Sequence, residues 1–475
     1  MNMWARTRIV AVGVAVLKAA ARRMAMLRFV ALAALVAPLV VACSGEPLVP
    51  PSNVQIDPDV LRQIHDEGDR MIVVAVDNPS ESVPMLAGTT IGGYDGGPGY
   101  AAYGSARAMV DAIAHDYKLE QVMAWPIVPL QVHCAVLEVR DGRTRAQVIE
   151  QLSHDRRVKI VQPLQSFRTV GSLSKPGGDI GTVADASARG YDANYVNLER
   201  GLHEIDALAA QRVSQGEGVR VAVIDTGVDT SHPGISASIV MKRDFVEQGW
   251  AAFDHDVHGT AVAGVIAANP NGGHGIMGVA PRARILALKA CWQAPAGQNG
   301  RGNDPSVCNS LTLAQALAAA IEAHASVINL SVSGPPDPLL TQLVEYSLRH
   351  GIVVVGAVPP DGDMRAFPVG IAHVIAADYP GANTSAAVVR APGRSVLSLT
   401  PGGHYDFFSG TSFSTAFVSG VAALLLAVDP RLDADQIYAA LKNSTHGDAT
   451  RQTVDACGAL SAAGVACSEA VNHVH

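Results

Sequence analysis

Between residues 219 and 377, five short and almost unbroken apolar runs (219–224, 285–290, 327–331, 352–358 and 374–377) alternate with stretches of helical spacing. A strand with one wet face would alternate polar and apolar residues. Runs apolar on both faces therefore predict strands buried inside a parallel sheet. Segments 311–323 and 339–350 carry apolar residues at helical intervals between the runs, so the expected domain is α/β with helices flanking the sheet. Apolar residues are 48% of the 475 and charged residues only 16%, which supports a large core and sets aside a mainly disordered chain. The net charge of −8 implies no basic face, so nucleic acid is not an expected partner.

A smaller pattern lies upstream. Residues 70–76 (RMIVVAV) read as a strand, and 106–117 as a helix with Met109, Ile113 and Tyr117 on one face. Residues 122–127 read as a short strand, 130–139 as a strand, 143–154 as a helix and 158–163 as a closing strand. This is a split βαββαβ order, a ferredoxin-like unit over 61–170. A glycine-rich insertion, 87–104, interrupts it as a loop. Residues 171–195 open with a Gly, Ser and Asp rich stretch that marks a linker, and 196–475 form the large domain.

The N-terminus has the order of an export signal. Arg22, Arg23 and Arg28 precede an apolar run, 29–41, too short to prefer a membrane span of about 20 residues. Met24 and Met26 each begin a better-formed signal than Met1. Val40-Val41-Ala42-Cys43 resembles a bacterial lipobox; the alternative is an ordinary signal with a chance cysteine. The resemblance implies a signal over 1–43, lipid on Cys43, a Pro-rich tether over 44–60, and anchoring to a membrane of the bacterial cell envelope. Outside the cytoplasm disulfides persist. Cys291 and Cys308 bracket a polar loop, and Cys457 and Cys467 a shorter one. Two local bridges are the simplest pairing, with Cys134 left over; the alternative is five reduced thiols. No CxxC pair suggests zinc.

Three segments carry chemistry. VAVIDTGVDT runs a strand straight into Asp225, where a carboxylate can orient an imidazole. HGTAVAGVIAA opens a small-residue helix at His258, three residues after a decoy, His255. SGTSFSTAFVSGVAALLLAV sets Ser412 at the start of an apolar helix, whose dipole and free N–H groups favour an oxyanion. That helix reads as a central buried one, since Ser and Gly interrupt it.

Together these segments resemble the Asp, His and Ser motifs of the subtilisin-like serine peptidases, in that family's chain order. GVAPRARILALK, SVINLSVSG, APGRSVLS and VDACGAL fit as well, and the resemblance covers about 192–465. It implies a subtilisin-like fold, peptide-bond hydrolysis through an acyl-enzyme without a cofactor or catalytic metal, and protein or peptide substrates. Ser412 would be the nucleophile, His258 the general base and then acid, and Asp225 the residue that fixes the imidazole. Ser331, Val332, Ser333 and Gly334 would pair with extended substrate, and 61–170 would be an inhibitory prodomain with its last residues, about 164–170, near the cleft. Family members often bind structural calcium; no ligand set for it stands out here. One departure matters. Where the family places an oxyanion-binding Asn, the turn reads Val358-Pro359-Pro360-Asp361-Gly362, which puts donorless Pro360 in that position. Ala261 stands where a second histidine is common. The departure at Pro360 favours a slow peptidase or, alternatively, a pseudopeptidase that binds peptides.

Overall fold

The computed structural model describes residues 60, 63–64, 67–79, 104–173, 195–246, 253–270, 275–293, 306–382, 385–447 and 452–467. The export signal with Cys43, the tether, nearly all of the glycine-rich insertion and most of the linker lie outside these residues. All described residues belong to one compact unit, 54–88 with 100–475.

Its N-terminal part follows the order β1 (Met71–Asp77), α1 (Gly104–Asp116), β2 (Glu120–Ile127), β3 (Val132–Glu138), α2 (Arg145–Ser153) and β4 (Ile160–Pro163). The strands lie side by side as β2-β3-β1-β4, every pair antiparallel. β1 and β3 are buried on both faces, and the division of their side chains explains why. Ile72, Val74, Ala135 and Leu137 pack with Val110, Ile113, Val148 and Leu152 of the two helices. Met71, Val73, Cys134 and Val136 face the other way, into a core shared with Leu313, Leu317, Leu339 and Leu343 of the large domain. The sheet is thus a slab between its own helices and those of its neighbour. Beyond β4 the chain runs out as β5 (Ser166–Thr169) and β6 (Gly171–Leu173). Residues 171–173, read as linker from composition, are therefore a strand. Composition misses it because backbone pairing needs no particular side chain.

The large domain contains β7 (Arg220–Asp225), β8 (Ile239–Asp244), α3 (Val257–Ala267), β9 (Arg284–Lys289), β10 (Cys291–Trp292), β11 (Val307–Asn309) and α4 (Ser310–Glu322). β12 (Val327–Leu330), β13 (Val332–Ser333), α5 (Pro338–Arg349), β14 (Val353–Ala357), β15 (Ile375–Asp378) and β16 (Val389–Arg390) follow. The chain continues with β17 (Val396–Thr400), β18 (His404–Gly410), α6 (Thr411–Val428), α7 (Ala434–Asn443) and α8 (Ala456–Ala462). Seven of these strands form a parallel sheet in the order β16-β15-β14-β12-β7-β9-β8, as the apolar runs require. The five runs are β7, β9, β12, β14 and β15. β8 and β16, the two edges, were not legible: β8 carries Lys242, Arg243 and Asp244, and β16 has two residues. α6 is long and apolar enough to cross a membrane, yet it is 89% buried in the core, where it packs on β12, β14 and α3.

Candidate active site

β7 has parallel partners on both sides, which fixes its last residue, Asp225, at the carboxyl end of the sheet. Asp225 is 1% exposed, and its Oδ1 accepts the N–H of Thr226 at 2.7 Å. His258 stands in the first turn of α3, and its Nδ1 lies 2.7 Å from the same Oδ1. Gly259 allows this approach, since a Cβ there would fall 2.1 Å from the Gly227 carbonyl oxygen. On the far side of the ring, Nε2 of His258 lies 3.0 Å from Oγ of Ser412. With Nδ1–H donated to the carboxylate, Nε2 offers its lone pair to the serine hydroxyl. Ser412 is the second residue of α6, so its own N–H is one that the helix leaves without an internal partner. Behind the site the buried Lys289 donates to the Thr226 carbonyl at 2.5 Å and pairs with Asp256, locking the loop between β7 and the start of α3. His255 is exposed.

The chain's own residues 166–173 cross this site. β5 lies antiparallel between β11 and β13, with Phe167 opposite Cys308, Arg168 opposite Val307 and Ser333, and Thr169 opposite Val332. Thr169 donates to Ser306 O at 3.0 Å and Val170 to Ser331 O at 3.3 Å, and Val170 O accepts the N–H of Ser412 at 3.4 Å. The chain then continues as β6 along β18, with Gly171 opposite Gly410 and Ser172 opposite Ser409. Ser331, Val332 and Ser333 therefore line one side of the segment, and Gly334 leaves room for Phe167: a Cβ there would lie 2.3 Å from its ring. Phe167 is buried, edge-on to Phe367 at 5.3 Å between centroids. β11 and Phe367 were missed from sequence. A three-residue strand of mixed type has no periodicity, and Phe367 sits in a loop; only the pairing of β5 marks them.

Cys291 and Cys308 are bonded and face each other across β10 and β11, and Cys457 is bonded to Cys467. Cys134 is free and buried, and burial raises its thiol pKa. The turn after β14 lies beside the start of α6, because Thr411 Oγ1 donates to the Val358 carbonyl at 2.7 Å; Pro360 in that turn is exposed. Ala261 is buried inside α3. Among the described residues no group of three or more His, Cys, Asp or Glu is placed to hold a metal ion.

Asp225, His258 and Ser412 are thus hydrogen-bonded in series at the carboxyl end of a parallel sheet, in a chain that comparison with known proteins places among the serine-type endopeptidases. The chain belongs to the subtilase family, whose model matches residues 216–459. It is 33% identical over 257 residues to the major intracellular serine protease of Bacillus subtilis (strain 168), covering 49% of this chain and 77% of that protein. It is 32% identical over 264 residues to thermitase of Thermoactinomyces vulgaris, covering 53% of this chain and 90% of that protein. Its fold resembles the crystal structure of fervidolysin from Fervidobacterium pennivorans, described as a keratinolytic enzyme related to subtilisin. That match has a TM-score of 0.61 at 24% identity, over 82% of this chain and 60% of that one.

Proposed function

We propose that the chain is an exported serine endopeptidase made with its own inhibitor: residues 61–170 are a ferredoxin-like prodomain whose last segment fills the cleft of the peptidase domain, 196–475. The observation that carries this is the hydrogen-bonded run Asp225–His258–Ser412 with the Val170 carbonyl resting on the Ser412 N–H. In this reading Ser412 Oγ bonds to the substrate carbonyl carbon as its proton passes to His258 Nε2, and Asp225 stabilises the imidazolium. The carbonyl oxygen becomes an oxyanion on the Ser412 N–H. Collapse breaks the C–N bond, and the proton moves from His258 to the departing nitrogen. Water, deprotonated by His258, then hydrolyses the acyl-enzyme.

The first bond offered to Ser412 is Val170–Gly171 of the chain itself. After that cut the prodomain stays on Ser331, Val332, Ser333 and Gly334 by strand addition, until it leaves and other extended peptides take its place. The order of basic residues, apolar run and Cys43 supports export and a lipid anchor at the cell envelope. Pro360 favours a second reading, a pseudopeptidase that keeps the fold to hold peptides.

The full chain tests this. Wild type should yield a new N-terminus at Gly171 and, once processed, should label with a fluorophosphonate; Ser412→Ala should do neither. A folded wild type that binds peptide without cutting or labelling would establish the pseudopeptidase instead. Incorporation of a palmitate analogue, lost in Cys43→Ser, tests the anchor.

A further inference from the structure

The side of the site that receives the departing nitrogen is closed. Gly171 follows Val170 across Ser412, and its position faces the protein. A Cβ built there would lie 2.9 Å from His258 Nε2, 2.9 Å from Phe413 Cε2 and 3.3 Å from Ser412 Cβ. Neither close neighbour is a loose end. The His258 ring is held by Asp225 on one edge and Ser412 on the other. Phe413 is fully buried, 5.3 Å from Phe408 and 5.8 Å from His258 between ring centroids. Protein interiors this tight do not yield a methyl's width without cost. Gly171 does not need a left-handed backbone, so the constraint on it is space alone.

Resting on the reading that 166–173 occupy the substrate path, we propose that Phe413 is a specificity-determining residue that restricts cleavage to bonds whose nitrogen belongs to glycine. The substrate class is then an extended peptide with glycine immediately after the cut. The acyl half is read by the β11 and β13 walls, and the amine half is filtered by the wall formed by Phe413 and His258. A larger residue at that position pushes against the imidazole that must deliver the proton to it, so the loss falls on the chemical step as well as on binding.

The test uses the full chain first. Gly171→Ala should slow self-cleavage at 170–171 at least tenfold, and adding Phe413→Ala to it should recover most of the loss. Processed wild-type enzyme is then given two octapeptides, Ser-Phe-Arg-Thr-Val-Gly-Ser-Leu and the same with Ala for Gly. The glycine peptide should be cut at least tenfold faster, with kcat lowered for alanine. Equal rates on both peptides, or Gly171→Ala processing at the wild-type rate, would overturn the glycine requirement while leaving the peptidase reading intact. Failure of the folded wild-type chain to cut itself at 170–171 at all would instead overturn the peptidase reading. A selective wild type whose folded Phe413→Ala form stays equally selective would remove Phe413 from the role. Should Phe413→Ala not fold, Phe413→Met serves the same comparison.

Discussion

Gln162 Nε2 donates to Asp337 Oδ2 at 2.6 Å, while Gln162 Oε1 accepts the N–H of Leu339 at 2.9 Å. One side chain from the N-terminal unit thus completes the start of a helix in the peptidase domain. Asp337 caps α5 through the N–H of Leu340 and takes a third hydrogen bond from Ser310 Oγ, and its burial raises its pKa. Removing Gln162 leaves a buried carboxylate and the N–H of Leu339 each short of a partner, which costs about 1–3 kcal/mol. Gln162→Ala in the uncut Ser412→Ala chain should lower urea stability by that amount. An unchanged midpoint would mean that this contact does not hold the two parts together.

Pro360 offers no N–H to an oxyanion, and one such donor is typically worth about 10²–10³ in turnover. Pro360→Asn should therefore raise kcat on a generic protein substrate toward that range, with little change in KM. Unchanged turnover in a folded variant would mean that another group already donates, or that the turn's register differs by a residue.

The Cys291–Cys308 bridge braces β11, the strand that pairs with Phe167 and Arg168. Replacing both cysteines by serine should loosen that edge and raise KM several-fold more than it lowers kcat. The Cys457–Cys467 bridge lies in the C-terminal region. Its loss should leave KM alone while reducing stability by about 2–3 kcal/mol, the entropy of a loop of that order. Steady-state kinetics and melting curves of the two double variants separate these outcomes.

Glu199 is buried, accepts the N–H of Met277 at 2.9 Å, and has its pKa pushed up to about 9 by desolvation. The folded chain then keeps a proton that the unfolded chain releases at an ordinary carboxylate pKa of about 4.3. Between that value and about 9 the native state binds more protons, so stability falls as pH rises through the window, by up to about 1.4 kcal/mol per unit. Glu199→Gln should flatten the slope and stabilise the chain more at about pH 8.5 than at about pH 5. Urea titrations of the Ser412→Ala chain at both pH values measure it, and equal effects would refute the shifted carboxyl.

The parallel sheet was legible because β7, β9, β12, β14 and β15 are buried on both faces and say so in unbroken apolar letters. Asp225, His258 and Ser412 stood out only together, through three motifs in one chain order that resemble a known family, since each residue alone reads as an ordinary turn, surface or cap residue; the structure brings them within hydrogen-bond reach. Phe413 was hidden. In an apolar helix one more buried aromatic reads as core, and only the approach of Gly171 gives it a second role. The same holds for β6 and β11, which exist through their partners' backbones rather than through any pattern of their own.

The unbroken passage of residues 166–173 through the site has a kinetic consequence. If Ser412 cuts its own chain at Val170–Gly171 as proposed, bond and nucleophile are carried by one molecule, so the first turnover has no second-order term, and dilution leaves its half-time unchanged. Release of the severed N-terminal piece would then be a separate dissociation, with rebinding making its extent depend on total protein. A crowded preparation would therefore be fully cut yet silent, and the same preparation thinned out would become active without any further chemistry.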